Sequence, residues 1–155
     1  MLIAAVLMIA SLGTTAQSSE PLNQESLKKM IGDLGYDSTE NKSTTGAPMH
    51  LLTFTRGDLK FTMYISLSGN LSRVWLTCPL ADLPDNDKLN AETLVKLLQL
   101  SDELGPVHFG LKTRRLYISF PLENTDVTSK KLRQTIDDLT AYVITTRPHW
   151  SNIQK

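Results

Sequence analysis

Strict alternation is the feature that most limits what this chain can become. Between Leu51 and Pro79, the residues Leu59, Phe61, Met63, Ile65 and Leu67 alternate with Lys60, Thr62, Tyr64 and Ser66. Successive side chains of a strand point to opposite faces. A period of two therefore lays five apolar side chains on one face and polar or aromatic ones on the other. The neighbouring segments keep the pattern. Leu52 and Phe54 match the apolar set in a preceding strand, and Val74, Leu76 and Cys78 match it in a following one, leaving Arg73, Trp75 and Thr77 opposite. Arg56-Gly57-Asp58 and Ser68-Gly69-Asn70 read as the two tight turns, where Gly and Asn reach positive φ at low cost. Pro79 has no N–H to donate and is expected to end ladder pairing. A sheet with one apolar face has to be covered, and the rest of the chain is the candidate cover.

That cover reads as three amphipathic helices. Leu27, Met30, Ile31 and Leu34 follow helical spacing over residues 24–34, with Asn23 as cap and Gly35 at the stop. Tyr36 is expected to pack back on the last turn. Residues 37–48 carry Ser, Thr, Asn, Gly and Pro without periodicity and read as a loop. Residues 81–88 read as an acidic loop. Asn90 then caps a helix over 91–104, with Leu94, Leu97, Leu98, Ser101 and Leu104 along its stripe, stopped by Gly105-Pro106. Val107, Phe109 and Leu111 mark one face of a fourth strand, and Lys112-Thr113-Arg114 a turn. A fifth strand over 115–122 turns Leu116, Ile118 and Phe120 inward and Tyr117 and Ser119 outward. Asp126 or Thr128 caps a last helix over 129–146, with Leu132, Ile136, Leu139 and Val143 as its stripe and Pro148 at its end. Trp150 is expected to pack on the sheet or the first helix. The order α-β-β-β-α-β-β-α describes an α+β domain with a mostly antiparallel five-stranded sheet and flanking helices.

Met1 to Leu12 is almost unbroken apolar sequence, followed by Gly13-Thr14-Thr15-Ala16 and then the polar run Gln17-Ser18-Ser19-Glu20. A short apolar run followed by small residues is the pattern of a secretory signal peptide, here with cleavage after Ala16. No Lys or Arg precedes the run, and an N-terminal helix is the alternative. The run is shorter than the roughly 20 residues a membrane span needs. The expected organisation is a signal peptide at 1–16, a linker at 17–22, one domain at 23–150 and a tail at 151–155, in a secreted or periplasmic protein. With 16 Lys plus Arg against 16 Asp plus Glu, the net charge is zero. No overall field draws nucleic acid or an acidic membrane, and no membrane contact is expected beyond the signal segment.

Chemistry-bearing motifs are missing. There is no GxSxG, HExxH, P-loop or GxGxxG, and His50, His108 and His149 do not pair at ligand spacing. Each histidine reads as a surface residue or a satisfied hydrogen-bonder. Cys78, the single cysteine, has apolar parity and reads as a buried small hydrophobe, and no Cys/His cluster suggests zinc. The clusters Asp137-Asp138 and Asp82, Asp85 and Asp87 lie on a helix face and in a loop, where solvation is the default. Lys112, Arg114 and Arg115 form a small basic hairpin tip. The expectation is a protein without catalytic, cofactor or metal residues. The outward sheet face is the better candidate, because it carries Tyr64, Arg73, Trp75, His108 and Tyr117. Exposed aromatics with an arginine are the types that dominate interfaces. Two readings stay open: a partner-binding face, or a face covered by the last helix or another segment, with the aromatics as a secondary core.

The chain resembles the type III secretion chaperone-like fold, including YbjN-like proteins. The resemblance is carried by LGYD at Leu34–Asp37, by YISLSGN and VWLTCPL, by LGPVHFGL at Leu104–Leu111, and by LYISFPLEN leading to a last helix ending in TTRPHW. It covers Gln24 to Trp150. It implies a non-catalytic module that binds an extended segment of another protein and pairs as a homodimer. A self-associating envelope domain is the second reading, and an uncharacterised hydrolase the third.

Overall fold

A computed structural model of the chain describes residues 20–83, 90–151 and 153. The elements run α1 (Gln24–Asp33), β1 (Thr39–Lys42), β2 (Pro48–Arg56), β3 (Leu59–Leu67), β4 (Arg73–Asp82), α2 (Ala91–Glu103), β5 (His108–Lys112), β6 (Arg115–Glu123), a 3₁₀ turn (Asn124–Asp126), α3 (Ser129–Thr145) and α4 (Arg147–Trp150). The α+β reading and the antiparallel sheet hold, but the sheet has six strands, not five, in the order β1-β2-β3-β4-β6-β5. The extra strand, β1, lies where the sequence reads as a loop. Its four side chains are all exposed, so it carries no alternation, and backbone pairing of Thr39–Lys42 with Pro48–Leu51 holds it.

The expected apolar face is the core. Leu52, Phe54, Phe61, Met63, Ile65, Leu67, Val74, Leu76, Cys78, Leu116 and Ile118 are all buried. Leu27 and Ile31 of α1 and Leu132, Ile136, Leu139 and Val143 of α3 meet them. Burial pushes the Cys78 thiol pKa far up, which keeps it a neutral packing group. In α2 the buried pair is Leu97 and Leu100, while Leu98, assigned to the stripe, is 66% exposed. Asn23 forms a reciprocal capping box with Ser26, and Gly35 takes φ 81° beyond the end of α1. Tyr36 packs edge-on against Phe54.

Three local expectations are corrected. In the β3–β4 turn the residue with positive φ is Leu71, at 56°, rather than Gly69 or Asn70. It is held there because Asn70 accepts hydrogen bonds from the Ser68 and Ser72 hydroxyls and Asn124 Nδ2 donates to the Leu71 carbonyl. Pro79 does not end the strand. Pairing with β3 stops at Thr77, but β4 runs on against β6 to Asp82 across a bulge between Pro79 and Ala81. Pro148 sits inside the first turn of α4, where a missing N–H costs nothing. Trp150 is buried there and its Nε1–H donates to the Val143 carbonyl, so it packs with α3. The core extends to Ile153, which is fully buried.

Candidate functional site

The antiparallel register sets out the other face of the sheet row by row. Tyr64 on β3 stands opposite Thr77 on β4, Thr77 opposite Ser119 on β6, and Ser119 opposite His108 on β5. One row to one side are Ser66, Trp75 and Pro121. To the other side are Pro79, Tyr117 and Gly110. Short hydroxyl side chains thus form a floor, with the Thr77 and Ser119 hydroxyls hydrogen-bonded at 3.0 Å. Rings form the walls.

The result is a groove of about 700 Å³ whose lining includes Tyr64, Trp75, Tyr117, Pro79 and Met49. None of its lining residues comes from a described helix. Among the described residues, the last helix does not lie over this groove. The stripes of α1 and α3 are spent on the opposite, apolar face.

Gly110 sets the position of one wall. A Cβ there would lie 2.6 Å from the Tyr117 ring, so only glycine lets the ring lie across β5. At the far end the β1–β2 hairpin contributes Ser43 and Thr44, and Met49 follows on β2. At the near end is the β5–β6 hairpin with Lys112, Thr113, Arg114 and Arg115. Arg115 donates two hydrogen bonds to Asp82, at 2.6 and 3.0 Å, which holds the carboxyl pKa below its usual value.

Beyond Tyr64 and Thr77, β3 and β4 have no mutual pairing, and the sheet forks. The fork holds a second cavity of about 340 Å³, lined by Leu59, Lys60, Phe61 and Leu80, with Val143 and Trp150 behind. Tyr64, Pro79 and Arg115 line both cavities, so the two are adjacent.

The five residues singled out from the sequence divide. Tyr64, Trp75 and Tyr117 come together in the groove. His108 stands beside it, its ring edge-on to Trp75 at 6.2 Å between centroids. Arg73 lies outside the lining, on the row beyond Trp75, and donates to Glu123 at 3.1 Å. Met49 and Pro79 were missed by the sequence reading. Thr77 and Ser119 were placed on the outward face by their parity but not singled out as part of the site.

Histidine 50 departs from expectation. It is buried on the apolar face, and neither ring nitrogen reaches a hydrogen-bond partner among the described residues. Burial lowers its pKa, countered in part by the Glu40 carboxylate. Among the described residues no group of three or more His, Cys, Asp or Glu side chains is placed to hold a metal ion. Asp85 and Asp87 lie outside the described residues.

No protein-family model matches the sequence, and no curated protein matches it. Solved structures do. YbjN from E. coli superposes with a TM-score of 0.58 at 14% identity, covering 83% of this chain and 93% of that one. A chain of the ExsC–ExsE complex gives 0.53 at 14%, covering 79% and 88%. A chain of the HopA1–SchA chaperone–effector complex gives 0.52 at 14%, covering 79% and 90%. The chain has the type III secretion chaperone-like fold, shared with YbjN, as the resemblance implied.

Proposed function

We propose that this protein is a non-catalytic module that binds another protein through the uncovered face of its sheet. The observation that carries the reading is the groove itself: three aromatic side chains ring a floor of hydroxyls on a face with no described helix over it. Large, rigid rings supply contact area at low entropic cost, and such residues dominate binding hot spots. The fold supports the same reading, since one structural neighbour is part of a chaperone–effector complex. Trp75→Ala is the test. Trp75 is half-buried by its neighbours rather than part of the core, so its removal should cost about 1 kcal/mol of stability or less. Affinity for a captured partner should fall at least tenfold, measured by calorimetry. A large drop in melting temperature with unchanged affinity would refute the reading.

Homodimerisation is a second reading, favoured by a separate surface. Val95 and Leu98 on α2 and Leu111 on the edge strand β5 are 53%, 66% and 53% exposed, and α2 packs against β5. Leu98→Asp should convert a dimer to a monomer by light scattering; a monomeric wild-type protein would remove this reading. The apolar N-terminal run supports export, with cleavage after Ala16 giving a secreted or periplasmic product. Mass spectrometry of the protein from a periplasmic fraction should find Gln17 as the first residue.

A further inference from the structure

We propose that strand β1 is an acid-released latch. Protonation of His50, buried on β2 opposite Glu40 of β1, detaches β1, and the chain from Asp37 to Ala47 swings free while the rest of the fold stays closed. The latch goes beyond the protein-binding reading and operates without a partner.

Little holds β1 in place. Its four side chains are exposed, so it buries no apolar surface of its own. Backbone pairing of Thr39, Glu40, Asn41 and Lys42 with Leu51, His50, Met49 and Pro48 joins it to β2, and the salt bridge from Glu40 to Lys28 joins it to α1. A bridge between exposed groups adds little. An edge strand of this kind opens at a fraction of the free energy of global unfolding. The chain on either side is better fixed. Tyr36 packs on Phe54, and its N–H donates to the Ile31 carbonyl at 3.3 Å. From His50 onward β2 is also paired with β3. The release is therefore bounded at both ends.

The trigger sits one strand in from the edge. His50 is 3% exposed, and neither ring nitrogen has a partner among the described residues. A neutral imidazole is tolerated there, whereas a charged one has to reach water or a counter-ion. The charged groups facing the ring are Glu40 from β1 and Lys28 from α1; its neighbour on β3 is the apolar Ile65. Glu40 favours the proton, Lys28 resists it, and burial resists it more strongly than either acts. The hydrogen bond from Lys28 holds the Glu40 carboxyl below its usual pKa, and Glu40 holds Lys28 above its own. The pair therefore keeps its charges through mild acid, and His50 is the member of this cluster that titrates there. Only β1 lies between His50 and the edge of the sheet, so detaching β1 is the short route from the ring to water. In the open form the ring returns to an ordinary pKa near 6.5. Proton uptake then favours opening as pH falls, by up to about tenfold between pH 7.5 and 5.5. Ser43 and Thr44, which line one end of the groove, move with the hairpin.

The experiment is hydrogen exchange by mass spectrometry on the full chain at pH 7.5 and 5.5, with rates corrected for the intrinsic effect of pH on exchange. Wild type, His50→Leu and Glu40→Gln are compared, with folding checked by circular dichroism. In the wild type, amides of residues 39–47 should lose protection by about three- to tenfold at the lower pH, while those of β3 and β4 keep theirs. His50→Leu should abolish that loss. Glu40→Gln cuts the link to Lys28, so it should lower protection at both pH values and keep the pH dependence. Unchanged protection in the wild type would overturn the latch, since the charged ring would then be accommodated in place. Parallel loss across β3 and β4 would overturn it in favour of opening of the whole domain. An equal loss in His50→Leu, or no pH dependence in Glu40→Gln, would overturn it by assigning the trigger to another group.

Discussion

At the scale of single residues, His50 shows where parity and chemistry conflict. It shares the parity of Leu52 and Phe54, so the alternation places it on the apolar face, and its Cα partners are Glu40 on β1 and Ile65 on β3. A reading by residue type sends histidine to the surface; register overrules it. The groups facing it are Glu40 and Lys28, themselves joined in a salt bridge between β1 and α1. Glu40 favours the protonated ring and Lys28 opposes it, but burial dominates and lowers the pKa. The unfolded chain therefore takes up this proton first as pH falls. Stability is unaffected by His50 above its unfolded pKa, near 6.5, and declines as pH drops from there toward the lower folded value. In His50→Leu that decline should be shallower between pH 7 and 5, by urea denaturation at each pH. At pH 7.5 the variant should be about 1 kcal/mol more stable, because two unsatisfied ring nitrogens leave the core. An unchanged pH profile would show that folding does not lower the pKa of the ring.

Among elements, those with an apolar stripe are legible and those without one are not. The periodicities of α1, α3, β3 and β4 pick out the side chains that meet the core, with Met30, Leu34 and Leu59 half-buried at its edge, because burial is what imposes the period. Strand β1 has no buried side chain to report it. In α2, Leu97, Leu98 and Leu100 are equally apolar, and only the direction of the packed neighbour decides that Leu98 faces outward. Gly110 in β5 is invisible to periodicity too, since its role is the space it leaves. Tyr117 stands directly opposite and fills that space with its ring. Gly110→Ala should cost about 1–3 kcal/mol by overpacking, shift the Tyr117 ring resonances and lower partner affinity. In a Tyr117→Ala background the same substitution should cost almost nothing. Additive losses in that double-mutant cycle would mean that Gly110 serves the backbone, not the ring.

For the whole molecule, one point of logic was available in the sequence and only the structure drew it. Three helices with one stripe each, and a sheet with one apolar face, balance as two layers; a helix over the outward face would need a second stripe that none of them has. The ends of the fold are set by polar contacts that no periodicity signals. Leu22, in the stretch read as linker, is buried, and its backbone N–H donates to Asn124 Oδ1 at 2.9 Å while its carbonyl accepts from Asn124 Nδ2 at 2.9 Å. The same Nδ2 reaches the Leu71 carbonyl at 2.7 Å, and the Asn124 N–H reaches that of Ser72 at 2.9 Å. One buried side chain thus ties the entry of the chain, the β3–β4 turn and the end of β6. A chain beginning at Gln17 keeps this knot whole, whereas one beginning at Gln24 loses it. Residues 17–155 should unfold in one cooperative transition. Residues 24–155 should be less stable by about 2–4 kcal/mol, from the lost burial of one leucine, the loss of the Asn23 cap on α1 and the loss of the two hydrogen bonds between Leu22 and Asn124. Asn124→Ala in the longer chain should reproduce only the part of that loss that comes from the tie, because it leaves Asn23 in place. Equal denaturation midpoints for the two chain lengths would place the N-terminal boundary of the fold at α1 instead of at Leu22.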